Sequence, residues 1–393
     1  MDVWIEKSPL RGVIQAIPSK SDAHRALIAA ALSQTSCEIL LTAVSEDIEA
    51  TVRALRALGA SIQKNERGFL VSPIQSKAIT PRLDCGESGS TLRFLLPVAA
   101  AISQEPFFTG HGKLPDRPVD SLLAALKLHG VSATSDRLPL TLMGAPRAGA
   151  YTIPGDVSSQ FLSGLLFLLP LLQGDSTLHI QGEQVSSQYV EMTLLTLRRF
   201  GIRIDAVDDG YLVPGGQLYT SPERYAVEGD WSNAAFFLAA GVDVQGLDPA
   251  SAQPDSAIRT LLNGLGGTID VAGSPDLFPI LAVCAAFHDG VTEFTGGARL
   301  RIKECDRLSA MASCLRAMGA SLTEYADGMR IEGGKPLHGA RLNGHNDHRI
   351  VMAMSIAGSR VGSVRIDGAE AVRKSYPDFF TDFQALGGKC SVL

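Results

Sequence analysis

Six cations stand where helices are expected to begin: Lys20, Arg25, Arg117, Arg307, Arg349 and Lys374. A helix start offers free backbone N–H groups and a partial positive charge, so a cation there doubles the attraction for an anion. The chain as a whole is acidic, with a formal net charge of −6, so the clustering is not a by-product of composition. A small substrate carrying several anionic groups is the expected occupant. Asp276 and Glu304 fall among the same positions without an evident structural partner in the sequence, and they are the expected acid/base pair.

These residues belong to short polar cassettes. Pro18 to Arg25 starts a helix on which Ser21 and Arg25, four apart, share a face beside Lys20; a capped helix with two solvated cations is the plainer alternative. It is not a Walker A loop, because the preceding glycines are missing. Glu87-Ser88-Gly89-Ser90 is a small-residue loop leading into a helix, as a phosphate or carboxylate site requires, although many such loops are only turns. Ser158-Ser159-Gln160 supplies three hydrogen-bonding side chains where one suffices for a cap. Asp230-Trp231-Ser232 and Pro275-Asp276 open two more helices. Lys303 to Arg307 packs charge into a helix start, where a salt-bridged first turn is the competing explanation. Asn346-Asp347-His348-Arg349 runs directly into apolar Ile350 to Met354, and surface decoration does not explain charges abutting a buried helix. His345 and His348 stand three apart with Asp347, but no further ligand cluster accompanies them, so no metal is implied. Lys374-Ser375-Tyr376-Pro377-Asp378 places one more cation before the last helix.

The elements that carry the cassettes repeat. Ser21, Ser88, Ser158, Trp231, Asp276 and Asp347 recur at intervals of roughly 70 residues, with one interval of roughly 45. Six times an amphipathic run ends in a large apolar residue followed by a capping glycine, at Gly59, Gly130, Gly201, Gly266, Gly319 and Gly387. Each such run is preceded by a more apolar helix, of which Phe161 to Leu172 has no charged face and must be buried. The pattern is α/β: six βαβαββ units, three over residues 20–227 and three over 228–393, with the strand near Val13 to Pro18 joining a unit of the second half. Two lobes joined by two chain crossings are expected, residues 20–227 forming one and 1–19 with 228–393 the other. If the apolar helices of each lobe start at the same end, the interlobe cleft becomes an anion trap.

With 393 residues, 45% hydrophobic and 19% charged, the chain is an ordered globular protein of two domains. It has no Lys/Arg run suited to a nucleic-acid backbone, no signal sequence at Met1 to Glu6 and no membrane-length apolar stretch. A cytoplasmic protein that binds neither nucleic acid nor membrane is expected. The six cysteines form no CxxC pair and read as buried reduced thiols.

In order along nearly the whole chain, Lys20-Ser21-x-x-x-Arg25, Gly89 in its Gly-Ser-Thr loop, Arg117-Pro118, Ser158-Ser159-Gln160, Lys303-Glu304-x-Asp306-Arg307, Asp347-His348-Arg349 and Lys374-x-x-Pro377-Asp378 resemble the 5-enolpyruvylshikimate-3-phosphate synthase family. The resemblance implies a two-lobed inside-out α/β barrel. It implies transfer of the enolpyruvyl group of phosphoenolpyruvate to the 5-hydroxyl of shikimate 3-phosphate, with release of phosphate, through a tetrahedral intermediate and without a cofactor, in a monomer. Lys20, Ser21, Arg25, Ser158, Ser159, Gln160, Ser186, Tyr189, Asp276 and Lys303 would then hold shikimate 3-phosphate. Lys20, Gly89, Arg117, Gln160, Arg307, Arg349 and Lys374 would hold phosphoenolpyruvate, and Asp276, Glu304 and Lys20 would carry the catalysis. Two positions depart from the family: Glu87, where Asn is common, and Arg299, where some members have a substrate-binding Asn. The sister enolpyruvyl transferase of UDP-N-acetylglucosamine is the alternative, but its Cys upstream of the Arg-Pro pair is missing from Gly110 to Asp116. A non-catalytic anion-binding module is a third reading, against which no acid, base or cation has been lost.

Overall fold

A computed structural model describes residues 1–182, 184 and 186–393. The chain divides into two compact units, Met1–Ile17 with Gly229–Leu393 and Pro18–Glu228.

Within Pro18–Glu228 the repeat is clearest around Ser158. Strand Ala150–Pro154 leads through helix Ser159–Leu168 to the parallel strand Ser176–Gln181, and helix Ser187–Arg199 leads to the hairpin Asp205–Val207 and Gly210–Val213. The second hairpin strand pairs antiparallel with Ser176–Gln181. Arg82–Asp84, Phe107–Thr109, Leu140–Gly144 and Val131–Ala133 form a second sheet in the same order. A third takes its leading strand from a distant stretch of chain: Arg224–Ala226 lies parallel to Cys37–Leu40.

The unit of Met1–Ile17 and Gly229–Leu393 repeats the order with Thr268–Asp270, Val291–Thr295, Met329–Glu332 and Ser321–Glu324. Its other four-stranded sheet borrows the N-terminal strand Val3–Glu6, which sits between Val364–Asp367 and the C-terminal strand Lys389–Val392. The short interval has a structural cause. Val13–Gln15 pairs parallel with Asp243–Gln245 in a two-stranded sheet, and the chain then passes from helix Ile258–Leu262 to strand Thr268–Asp270 with no hairpin between.

The apolar helices form the cores. Helix Phe278–Phe287 is buried along nearly its whole length, as are Lys20–Ala31, Gly89–Ile102, Ser159–Leu168, Trp231–Ala239 and His348–Val361. A helix with no solvent face can be stabilised only by packing on all sides, so the sheets must lie outside it. The six glycines that follow the amphipathic runs all have positive φ, from +76° at Gly201 to +107° at Gly59. An L side chain is strained there, which is why the punctuation is so regular. All six cysteines are free, but Cys305 and Cys390 are partly exposed rather than buried as expected. No helix among the described residues is long and apolar enough to cross a membrane.

Candidate active site

Helix starts meet within each unit. In Pro18–Glu228, Ser19 caps helix Lys20–Ala31 by accepting from the Asp22 amide at 3.4 Å. The Lys20 ammonium reaches Asp47 at 2.8 Å, in the first turn of helix Glu46–Ala57. One turn on in both helices, His24 Nδ1 and Thr51 Oγ1 are 2.7 Å apart, and Thr51 continues to Thr91 Oγ1 at 2.6 Å, in helix Gly89–Ile102. Burial, with the charges of Lys20 and Arg25, holds the His24 imidazole well below its ordinary value and therefore neutral. Asp47 and Thr51 were not singled out in the sequence; the i, i+4 match of Lys20 and His24 to Asp47 and Thr51 is a signal visible only once the two helices are known to pack.

Arg25 is buried and held by protein groups. Its guanidinium donates to Thr193 Oγ1 at 2.8 Å, to the Ser21 carbonyl at 2.6 Å and to the Tyr189 carbonyl at 2.8 Å. Burial pushes its pKa down to about 10. Tyr189 lies in helix Ser187–Arg199, which opens at Ser186, a buried residue in left-handed conformation with φ +55°. Arg25 thus gathers three of the expected acceptor-site residues, Ser21, Tyr189 and itself.

The Ser158 cassette does more than cap. Ser158 accepts from the Gln160 amide at 3.3 Å and Ser159 is buried. The Gln160 side chain accepts from Arg93 Nη1 at 2.7 Å and donates to Ser90 Oγ at 2.9 Å. Arg93 also donates to the Pro118 carbonyl at 3.2 Å, which joins this cassette to the Arg117 loop. A cation inside the otherwise apolar helix Gly89–Ile102 is the signal that sequence reading passed over. Glu87 turns its carboxylate onto Gly112, where a Cβ would stand 2.3 Å from its carboxyl carbon, so this departure from the family is packed beneath the loop that leads to Arg117.

In the other unit the carboxylates expected to lack partners are heavily paired, which corrects that reading of Asp276 and Glu304. Asp276 opens its helix from the turn Pro275–Leu277 and faces Arg307 Nη1 at 2.7 Å, Arg349 Nη2 at 3.0 Å and Lys303 Nζ at 3.6 Å. Burial alone raises a carboxyl pKa, but the charges of Arg349, Lys303 and Arg307 outweigh it and hold Asp276 well below the usual carboxylate range. Arg307 is 1% exposed and is shared by Asp347 at 2.7 Å, Glu304 at 2.7 Å and Asp276. Cys305 Sγ lies 3.5 Å from Asp347. Lys303, a quarter exposed, has its pKa pushed down to about 8 chiefly by burial. Arg299 donates to the Ala272 carbonyl at 3.0 Å, in the loop ahead of Asp276. Buried Lys374 donates to the Asn346 carbonyl at 2.7 Å, beside the Asp347-His348-Arg349 cassette.

Lys303, Arg307 and Arg349 are balanced by Asp276, Glu304 and Asp347, so an arriving anion must exchange for a carboxylate rather than fill a naked positive site. Helix starts that hold buried ion pairs beside titratable carboxylates are the arrangement expected of a site for small polyanions.

A sequence model of EPSP synthase (3-phosphoshikimate 1-carboxyvinyltransferase) matches residues 5–271 and 251–383. The 3-phosphoshikimate 1-carboxyvinyltransferase of Clostridium novyi is 40% identical, the alignment covering 98% of each chain. That of Methanocorpusculum labreanum is 36% identical over 98% of this chain and 99% of its own. A solved EPSP synthase structure from Acinetobacter baumannii superposes with a TM-score of 0.80 at 25% identity, covering all of both chains. The chain belongs to the EPSP synthase family.

Proposed function

We propose that this protein transfers the enolpyruvyl group of phosphoenolpyruvate to the 5-hydroxyl of shikimate 3-phosphate and releases phosphate. Family membership over nearly the full length supports the reaction, and one observation carries the assignment of residues: Asp276 ringed by Lys303, Arg307 and Arg349, with Glu304 on the same Arg307. The paired-carboxylate arrangement suits a two-step exchange. The hydroxyl oxygen adds to C2 of phosphoenolpyruvate while its methylene carbon gains a proton; the tetrahedral intermediate then loses phosphate as that carbon gives a proton back.

Glu304 is the residue we assign to the methylene proton. A substrate carboxylate competing for the Arg307 N–H that Glu304 accepts would loosen that pair and leave the Glu304 carboxyl as the group placed to hold and return the proton. Asp276, kept ionised by its three cations, accepts a hydrogen bond from the acceptor hydroxyl, orients it and takes its proton as the C–O bond forms, with Lys20 as the other group that can share that role. Lys20, steered by Asp47, supplies positive charge to the transition state. Arg117 and Gly89 with Arg349 and Lys374 complete the phosphoenolpyruvate contacts, and Ser21, Arg25, Ser158, Ser159, Gln160, Ser186 and Tyr189 those of shikimate 3-phosphate.

We also read the architecture as six βαβαββ units, three in each of two lobes of inside-out barrel form, the unit around Trp231 being curtailed. The five four-stranded sheets of common order and the pairing of Val13–Gln15 with Asp243–Gln245 support it. A phosphate-release assay with purified protein tests the activity. Release from phosphoenolpyruvate is expected only with shikimate 3-phosphate; release driven by UDP-N-acetylglucosamine, or by neither acceptor, overturns it.

A further inference from the structure

The Asp230-Trp231-Ser232 cassette opens the helix of the curtailed unit, carries no cation and receives no part in the chemistry above. The next residue along connects it to the site. Asn233 is 1% exposed in helix Trp231–Ala239, and its backbone amide is fixed by the Asp230 carboxylate at 2.8 Å. Its side-chain amide faces the Ser375 hydroxyl: Nδ2 donates to Ser375 Oγ at 2.9 Å, and Oδ1 lies 3.2 Å from the same oxygen. Ser375 is 3% exposed and ends the turn Ala369–Lys374. Its immediate neighbour Lys374 extends to the Asn346 carbonyl at 2.7 Å. Asn346 and His345 both have left-handed φ, +52° and +50°, in the loop that delivers Arg349. Two buried polar side chains 142 residues apart, one from a helix start and one from the end of a turn, thus meet one residue along the chain from a cation of the site.

We propose that Asn233 is a positioning residue for phosphoenolpyruvate binding, fixing through Ser375 the backbone from which Lys374 reaches. The inference rests on the reading that Lys374 holds phosphoenolpyruvate. A lysine side chain has four rotatable bonds, so its ammonium is placed only as well as its backbone is held. Asn233 and Ser375 form a mutually satisfied pair in a dry setting, where removing either partner leaves the other unsatisfied and frees the turn. The cassette without a cation therefore serves the cation of another cassette.

The test uses the full chain with Asn233→Ala, Ser375→Ala, the double variant and Lys374→Ala, measuring kcat, KM for phosphoenolpyruvate and the Kd for shikimate 3-phosphate. Asn233→Ala is expected to raise KM for phosphoenolpyruvate about tenfold, the scale of one buried hydrogen-bonded tether, with a smaller change in kcat and an unchanged Kd for shikimate 3-phosphate. The double variant should lose no more than either single one, because both act through the same link. If Asn233→Ala does not fold, Ser375→Ala cuts the same link and must give the same KM effect. A raised KM in Lys374→Ala with a normal KM in Asn233→Ala and Ser375→Ala overturns the inference and leaves the Lys374 assignment intact. A normal KM in Lys374→Ala removes that assignment and the inference with it.

Discussion

The Arg117 guanidinium lies against Gly89 so closely that a Cβ on Gly89 would stand 2.8 Å from Nη1 and 3.0 Å from the guanidinium carbon. Gly89 therefore sets where Arg117 points, and the absence of a side chain is what the site uses.

Gly89→Ala is expected to displace Arg117 and raise KM for phosphoenolpyruvate by at least about tenfold, the scale of one misplaced charged contact. Affinity for shikimate 3-phosphate should stay within about twofold, since no acceptor group is moved. Calorimetric titration of each substrate, with steady-state kinetics, checks the split.

Lys20→Met should lower kcat by at least about a hundredfold, the loss of one preorganised electrostatic contact. Asp47→Asn leaves the ammonium in place but loosens it from the 2.8 Å pair, so a smaller loss is expected. Near-normal turnover in Lys20→Met would reduce Lys20 to a helix-entry residue.

Glu304→Gln keeps the shape of the side chain and an acceptor for Arg307. Shikimate 3-phosphate should still bind, while solvent deuterium should no longer enter the methylene group of phosphoenolpyruvate as followed by NMR. Rapid exchange in this variant would assign the proton to another residue. Asp276→Asn should weaken both acceptor binding and turnover, because it removes the charge shared by Lys303, Arg307 and Arg349.

The low pKa of Lys303, about 8 against an ordinary 10.5, has opposite consequences for stability and binding. Between those values the unfolded chain binds more protons than the folded one, so the stability contribution of this group rises with pH across that window. The positive charge it offers a phosphate is lost over the same rise. KM for shikimate 3-phosphate should climb as pH passes about 8, and Lys303→Arg should flatten that limb, because a guanidinium stays charged. Asp276 has the same sign as Lys303 in stability, at lower pH: its depressed pKa contributes stability that is present above the ordinary carboxylate value and lost as pH falls.

Asp347→Ala leaves Arg307, 1% exposed, without its most buried counter-charge. Removing one partner of a buried ion pair costs about 3–5 kcal/mol, and urea unfolding should register a loss near the lower end because Glu304 and Asp276 remain on Arg307. A change within about 0.5 kcal/mol, the range of an ordinary surface substitution, would mean that Glu304 and Asp276 suffice.

Local chemistry was legible in the sequence. The capping glycines, the polar cassettes and the buried character of Phe161 to Leu172 follow from φ preferences, cap hydrogen bonds and the lack of any polar face, all of which act within a few residues. The candidate cations could be named for the same reason: Lys20, Arg307 and Arg349 sit in the first turn of a helix, although Arg25 lies one turn further in and Lys374 ends the short turn Ala369–Lys374. Partnership could not be read, because it depends on which distant helices pack together. Glu304 meets Arg307 only three residues on, but Asp276 looks unpaired along the chain, and tertiary packing brings it against Arg307 and Arg349, 31 and 73 residues away. Asp47, Arg93 and Asn233 carry no motif, and only the fold places them on Lys20, Gln160 and Ser375. The sequence by itself determined which groups would carry charge at helix starts; the tertiary structure decided which charges neutralise one another, because Coulomb and hydrogen-bond energies depend on separation in space and burial, not on separation along the chain.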